Sequence, residues 1–214
     1  VLEATYVYVS SSGNDATGTG GIHAPFRTVQ AAVDSLPRCL TADTTIKILD
    51  GAYEENVVLM GFFGGGSLTL AGSDGVSVRT IQLNGCACRV YLSNLQVTGT
   101  GGVSGYNWSV YVGSCAWVSM DHITCTGTVA SQYVGALYLI KTPLISISNT
   151  TVSNKAIALD VVGAAVYLNN TVTGAGNTVA IRCGSGWGNA GGYVQKGGAT
   201  ISGEEQKGYG GQIW

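Results

Sequence analysis

Apolar and polar residues alternate through four short stretches that repeat one another: VYLSNLQVTG at 90–99, VSMDHITCTG at 118–127, ISISNTTVSN at 145–154 and VYLNNTVTG at 166–174. Alternation with period two predicts strands that turn one face inward. Val90, Leu92, Leu95 and Val97 align with Val118, Met120, Ile123 and Cys125, and these with Ile145, Ile147, Thr150 and Val152. In each stretch the alternation slips once, at Asn94, His122, Asn149 and Asn170. The slip predicts a bend between two short strands, where Asn is favoured because it tolerates left-handed backbone and bonds locally.

A further strand follows each pair: SVYVG at 109–113, ALYLI at 136–140, ALDVV at 158–162 and AIRCG at 180–184. Its inward positions are Val110, Leu137, Leu159 and Ile181, then Val112, Leu139, Val161 and Cys183. The stretches begin at 90, 118, 145 and 166, a period of 28, 27 and 21 residues. Such a period marks a solenoid, in which each unit buries its apolar face only against its neighbours. Strand, bend, strand, loop and strand make one coil of a parallel β-helix. SLTLAG at 67–72 and VRTIQLNG at 78–85 read as an earlier coil with weaker register. Each buried aliphatic side chain contributes roughly 1.5–3 kcal/mol, so these stacked rows carry the stability. Leu137 is therefore a core position, and Tyr138 beside it an outward one that tolerates Ala. The loop TGTGGVSGYNW, 98–108, is the longest between strands, and variable loops on a rigid scaffold are where binding groups are usually carried.

Ahead of the coils, Val29, Ala32, Val33 and Leu36 in APFRTVQAAVDSLP (24–37) follow the period of an amphipathic helix. Thr28 can cap it and Pro37 stops it. A helix across the first coil would cover its open core and strand edges. TIKILDGAYEENVVL, 45–59, reads as two strands around a turn. At the other end the strand rhythm fades after Ser202, which leaves 204–214 as a Gly-rich tail, folded back or packed on a neighbouring subunit. The expected organisation is one domain over 1–214, with strand and capping helix in 1–44 and coils in 45–203.

Composition narrows the partners. Charged residues make up 10% of the 214, against roughly 25% in an ordinary domain, and none lies between Val90 and Met120. Nucleic acid and anionic membranes need clustered Lys and Arg, so both are excluded as partners. No apolar run reaches the ~18 residues of a membrane span. A neutral surface of Gly, Ser, Thr, Asn and Tyr suits subunit contacts and glycans. Of the six cysteines, Cys125 and Cys183 fall in inward slots, which predicts free, buried thiols. Cys86-Ala87-Cys88 lacks a second pair at zinc-site distance, and no two aspartates lie within three residues of each other, so neither a metal nor a cofactor is expected.

YVYVSSSGND, PFRTVQAAVDSLP and IKILDGAYEENVVL together resemble the N-terminal region of right-handed parallel β-helix proteins of the pectin-lyase-like superfamily. They are most similar to tail-fibre and tailspike domains of bacteriophages and prophages. The resemblance spans residues 6–72, with coil periodicity alone beyond. It implies an all-β, single-stranded right-handed parallel β-helix, a homotrimer made in the host cytoplasm and carried in the virion. It also implies recognition of a bacterial surface glycan. Some such proteins are polysaccharide depolymerases, hydrolases or lyases, and a secreted or cell-surface adhesin is a further alternative. TVQAAVDSLP and GAYEENV also resemble pectin methylesterases. SQYVGALYL (131–139), with Gln132, could match one motif of that family, but its QDTL, DFIFG and LGRPW motifs are absent. That reading is rejected.

Two sets of residues are candidates for chemistry. Asp121 and His122 could form a catalytic dyad or simply a polar variant of the bend. A glycosidase needs two carboxyl groups about 5–9.5 Å apart, and the column through Asp121 holds Ser93, Ser148 and Asn169 instead. The outward column of the third strand reads Tyr111, Tyr138, Asp160 and Arg182. It could be cross-strand packing with a salt bridge, a trimer contact, or a sugar-binding strip to which Trp108 is added from the long loop. Asp160 is a third catalytic candidate. Asp50, Glu54 and Glu55 read as solvated or capping acids.

Overall fold

In a computed structural model of the chain, residues 3–99, 107–127, 134–184 and 191–214 are described; Gln132 and most of the long loop lie outside them. β1 (Thr5–Val9) and helix α1 (Val29–Asp34) open the chain. The coils then contribute β2 (Thr44–Ile48) and β3 (Ala52–Met60), β4 (Ser67–Gly72) and β5 (Ser77–Asn84), β6 (Arg89–Val97) and β7 (Asn107–Gly113), β8 (Trp117–Cys125) and β9 (Val134–Ile140). They continue as β10 (Ile145–Ser148), β11 (Thr151–Val152) and β12 (Ile157–Val162), β13 (Ala165–Leu168), β14 (Thr173–Gly174) and β15 (Val179–Cys183). The last are β16 (Tyr193–Gln195), β17 (Thr200–Ile201), β18 (Glu204–Lys207) and β19 (Gln212–Ile213).

Each strand pairs in parallel with its counterpart one coil away, and the chain is a parallel β-helix. The first ladder runs β1, β2, β4, β6, β8, β10, β13, β16, β19; the third runs β3, β5, β7, β9, β12, β15, β18. A short second ladder lies between them, after the bend. The aligned phrases pair in the expected register: Val90↔Val118↔Ile145, Leu92↔Met120↔Ile147, and Val97↔Cys125↔Val152. All these residues are buried. The inward rows Val110–Leu137–Leu159–Ile181 and Val112–Leu139–Val161–Cys183 likewise stack and are closed to solvent. Thr150 occupies an inward slot by satisfying itself: its hydroxyl donates to the Ser148 carbonyl at 2.7 Å and accepts the Ile123 amide at 3.3 Å.

The bends fall where the alternation slips. Asn94, His122 and Asn149 adopt φ of 53°, 53° and 45°. Asn170 differs. From Leu168 to Thr173 the chain spends one residue more than its partners between Ile147 and Thr151, and it turns without a left-handed residue there.

The helix is short and held at its start by side chains. Thr28 caps it, accepting the Ala31 amide at 3.2 Å. Glu55 accepts the amides of Val29 and Gln30 at 2.7 and 2.9 Å, and Asp15 those of Arg27 and Thr28. Glu55 is thus a capping acid. With Val29, Ala32 and Val33 fully buried, α1 closes the end of the core against β1, β2 and β3. At the other end the coil extends further than the apolar pattern suggests. β18 pairs with β15 and β19 with β16, so 204–214, expected as a tail, continues the ladders. β18 reads EEQK, and backbone hydrogen bonds hold it without any inward apolar alternation to announce it. Among the described residues no helix is long and apolar enough to cross a membrane.

Candidate functional site

The outward column of the third ladder has the expected register and a different environment. Tyr111 pairs with Tyr138, Tyr138 with Asp160, and Asp160 with Arg182. Yet Tyr138 is 9% exposed, Trp108 5% and Asp160 1%. Trp108 stacks on Tyr138 at 4.9 Å between centroids, and Tyr111 tilts against it at 5.7 Å. The Trp108 ring fills the space over Gly135, where a Cβ would meet it at 1.8 Å. With Ala156, Ile157, Val162 and Val179 these rings form a second, smaller core outside the β-helix. The rings of Trp108 and Tyr138 are thus spent on packing, while Tyr111 and Arg182 stay part-exposed. Arg182 Nη2 contacts Asp160 Oδ2 at 2.5 Å, while among the described residues Asp160 Oδ1, Arg182 Nε and Trp108 Nε1 have no hydrogen-bond partner. Asp160, named as a catalytic candidate, is thus enclosed beneath this outer layer.

Lys155 is a buried cation that the sequence reading missed, because it sits in a polar turn between β11 and β12. It is fully enclosed, its Nζ 3.3 Å from Ser109 Oγ, and no carboxylate pairs with it among the described residues. Burial presses its pKa below 10.5, against an opposing pull from Cys125. The folded chain then binds fewer protons than the unfolded one, so stability rises with pH from the depressed folded value up to about 10.5. Lys155→Met should raise the thermal midpoint at pH 7 by several degrees and flatten that rise. Thermal melts from pH 7 to 10.5 test both.

Asp121 and His122 lie at the surface, with side chains 42% and 58% exposed. Asp121 Oδ2 is 2.8 Å from His122 Nδ1, and Oδ1 accepts Ser148 Oγ at 2.7 Å and Asn149 Nδ2 at 2.8 Å. Partial burial raises the carboxyl pKa, but the bonds from Ser148, His122 and Asn149 outweigh it and hold the group below the usual range. Oδ1 thus ties this coil to the next while Oδ2 holds the adjacent imidazole, and the column neighbours are Ser93 and Ser148. The pair forms a polar bend, and its own column supplies no second carboxyl. Beside it a groove of about 290 Å³ is lined by Asp74, Asn94, Gln96, His122 and Thr124, among others. Among the described residues no group of His, Cys, Asp and Glu is placed to hold a metal ion.

The exposed aromatic surface is on the first ladder instead. Its outward column reads Tyr6, Thr45, Thr69, Tyr91, Ser119, Ser146, Tyr167 and Gln195. Trp117 packs edge-on to Tyr91 at 4.9 Å, and Tyr193 tilts against Tyr167 at 5.8 Å. Tyr167 is 40% exposed, and Tyr91, Trp117 and Tyr193 are half-buried. Three coil steps separate Tyr91 from Tyr167, about 14 Å at the usual strand spacing. Between the two pairs the floor is Ser119, Ser146, Ser148 and Asp121. The signal was present in VYLSN and VYLNN, whose Tyr faces outward, but the repeat was read for its inward residues.

No family model and no curated protein matches the sequence. Solved structures similar to the chain include a pectin methylesterase bound to a hexasaccharide (14% identity, TM-score 0.45, 92% of this chain and 66% of that one). Others are the pectin methylesterase of Erwinia chrysanthemi (12%, 0.44, 92% and 67%) and a rhamnogalacturonan lyase (11%, 0.39, 94% and 62%). The chain spans about two thirds of the length of these structures. Each is a distant β-helix protein, and the parallel β-helix of this chain stands on its own strand pairing.

Proposed function

We propose that this β-helix binds a bacterial surface glycan along the outer face of its first ladder, as the receptor-binding module of a homotrimeric phage or prophage tail fibre. One observation carries the glycan reading: two part-exposed aromatic pairs flank a floor of hydroxyls and one carboxylate. The C–H edges of a pyranose pack on the electron-rich face of an aromatic ring, and its hydroxyls need hydrogen-bonding partners between the rings. The near-neutral surface supports an uncharged polymer as partner. The resemblance of the opening residues supports the tail-fibre setting and the trimer.

Screening the native protein against bacterial capsule and wall oligosaccharides, then titrating the best ligand into Tyr91→Ala/Trp117→Ala and Tyr167→Ala, tests the reading. Each variant is expected to keep its fold, because the rings are half-exposed, and to lose at least tenfold in affinity, about 1.4 kcal/mol. Unchanged affinity in both removes the strip. Incubation with the same polymer is expected to leave its length unaltered. Shortening that Asp121→Asn abolishes would establish a depolymerase instead.

A further inference from the structure

The third ladder ends, coil after coil, in a left-handed corner: Gly61, Gly85, Ser114, Lys141 and Gly163 have φ of 69°, 63°, 52°, 48° and 62°. The register Asn84↔Gly113↔Ile140↔Val162 brings these corners over one another. The residue after each corner turns inward, giving a stacked row of Phe62, Cys86, Cys115, Thr142 and Ala164, all buried. Cys86 and Cys115 are therefore neighbours in adjacent coils. Register and burial place their side chains next to each other in this row. Cys115 Sγ also lies 3.4 Å from the Gly113 carbonyl, and Cys86 Sγ 3.7 Å from that of Leu59. The Ala116 amide donates to the Cys86 carbonyl at 2.8 Å, which locks the two corners together. Adjacent strands lie about 4.8 Å apart, inside the Cα separation of roughly 4.4–6.8 Å that a disulfide spans.

We propose that Cys86 and Cys115 are a disulfide site, which staples two coils when the chain folds in the presence of a disulfide oxidant such as oxidised glutathione. Either thiol can begin the exchange, and Cys86 serves as the first. It attacks one glutathione sulfur, a Cys86–glutathione bond forms, and one glutathione thiolate leaves. Cys115 then loses its proton and attacks Cys86 Sγ, releasing the second glutathione. Two protein thiols are oxidised, one oxidant molecule is reduced to two thiols, and the two protons end on glutathione. The register Arg89↔Trp117 sets Cys88 beside Ala116, so it does not face Cys115. Once folded, both sulfurs are closed to solvent, so the bond forms as the corners assemble rather than by later attack.

The full chain is refolded from denaturant either in a glutathione redox mixture or in dithiothreitol, then alkylated and mapped by mass spectrometry. With glutathione, four of the six cysteines (Cys39, Cys88, Cys125 and Cys183) are expected to alkylate, and one cross-linked peptide to join Cys86 to Cys115. The thermal midpoint should exceed that of the reduced protein by several degrees. Cys86→Ala, which keeps a small apolar group in the slot, should fold with every remaining thiol free and no redox-dependent midpoint. Six alkylated thiols after refolding in glutathione, or a cross-link through Cys88, would overturn the proposal.

Discussion

Leu137→Asp is expected to leave no cooperatively folded β-helix at 25 °C. Leu137 is fully enclosed between Val110 above and Leu159 below. Replacing it removes a side chain worth roughly 1.5–3 kcal/mol of burial and leaves a cavity. A carboxylate in the same slot faces only aliphatic neighbours, and an unpaired buried charge costs several kcal/mol more. The sum rivals the whole stability of an ordinary domain, roughly 5–15 kcal/mol. Each coil is supported only by its neighbours, so the loss is not absorbed elsewhere. Loss of the far-ultraviolet strand signal and of any thermal transition would be the result; a melt within a few degrees of the native one refutes the stacked core. The neighbouring Tyr138→Ala, which the alternation marks as harmless, is expected to cost about 3–5 kcal/mol, because the ring stacks on Trp108 inside the outer core.

That contrast shows where the sequence is legible. Inward residues recur with the coil, so Val110, Leu137, Leu159 and Ile181 could be placed on one row from spacing alone, and the bends at Asn94, His122 and Asn149 followed from the slip in alternation. Position relative to the barrel does not decide position relative to water. Tyr138 and Asp160 point outward and are still buried, because a second layer covers this face, and period-two reasoning sees only one layer. The partner of Asp160 was legible, since Arg182 lies one coil on in the same column. The burial that makes the pair consequential was not. Tyr91 and Trp117 were missed for the opposite reason: they sit singly in their phrases and meet only after the coils stack. Glu55, read among the solvated or capping acids, caps α1 some 25 residues earlier in the chain, and which helix it caps no local pattern records.

Arg182→Met is expected to destabilise the protein by about 3–5 kcal/mol, while Asp160→Leu/Arg182→Met should recover most of that loss. The Asp160 side chain is 2% exposed and Arg182 33%, so the pair differs from the surface ion pairs Arg38–Asp34 and Lys196–Glu205, whose partners face solvent. Exposed pairs of that kind contribute about 0–1 kcal/mol. Here the carboxylate is buried, and among the described residues Oδ1 has no partner, so the guanidinium is its strong compensation. Methionine keeps the apolar stem of Arg182 over the outer core but removes the charge, and the carboxylate is then stranded. Leucine at 160 removes the stranded group and extends the apolar surface between Tyr138 and Val162. Denaturant unfolding of the two single variants and the double variant yields the coupling directly. A loss below about 1 kcal/mol for Arg182→Met would mean that the pair is solvated after all, and the third-ladder face would return as a candidate glycan surface. If the double variant is stable and binds glycan as the native protein does, the buried pair serves the outer core alone, and recognition belongs to the first ladder.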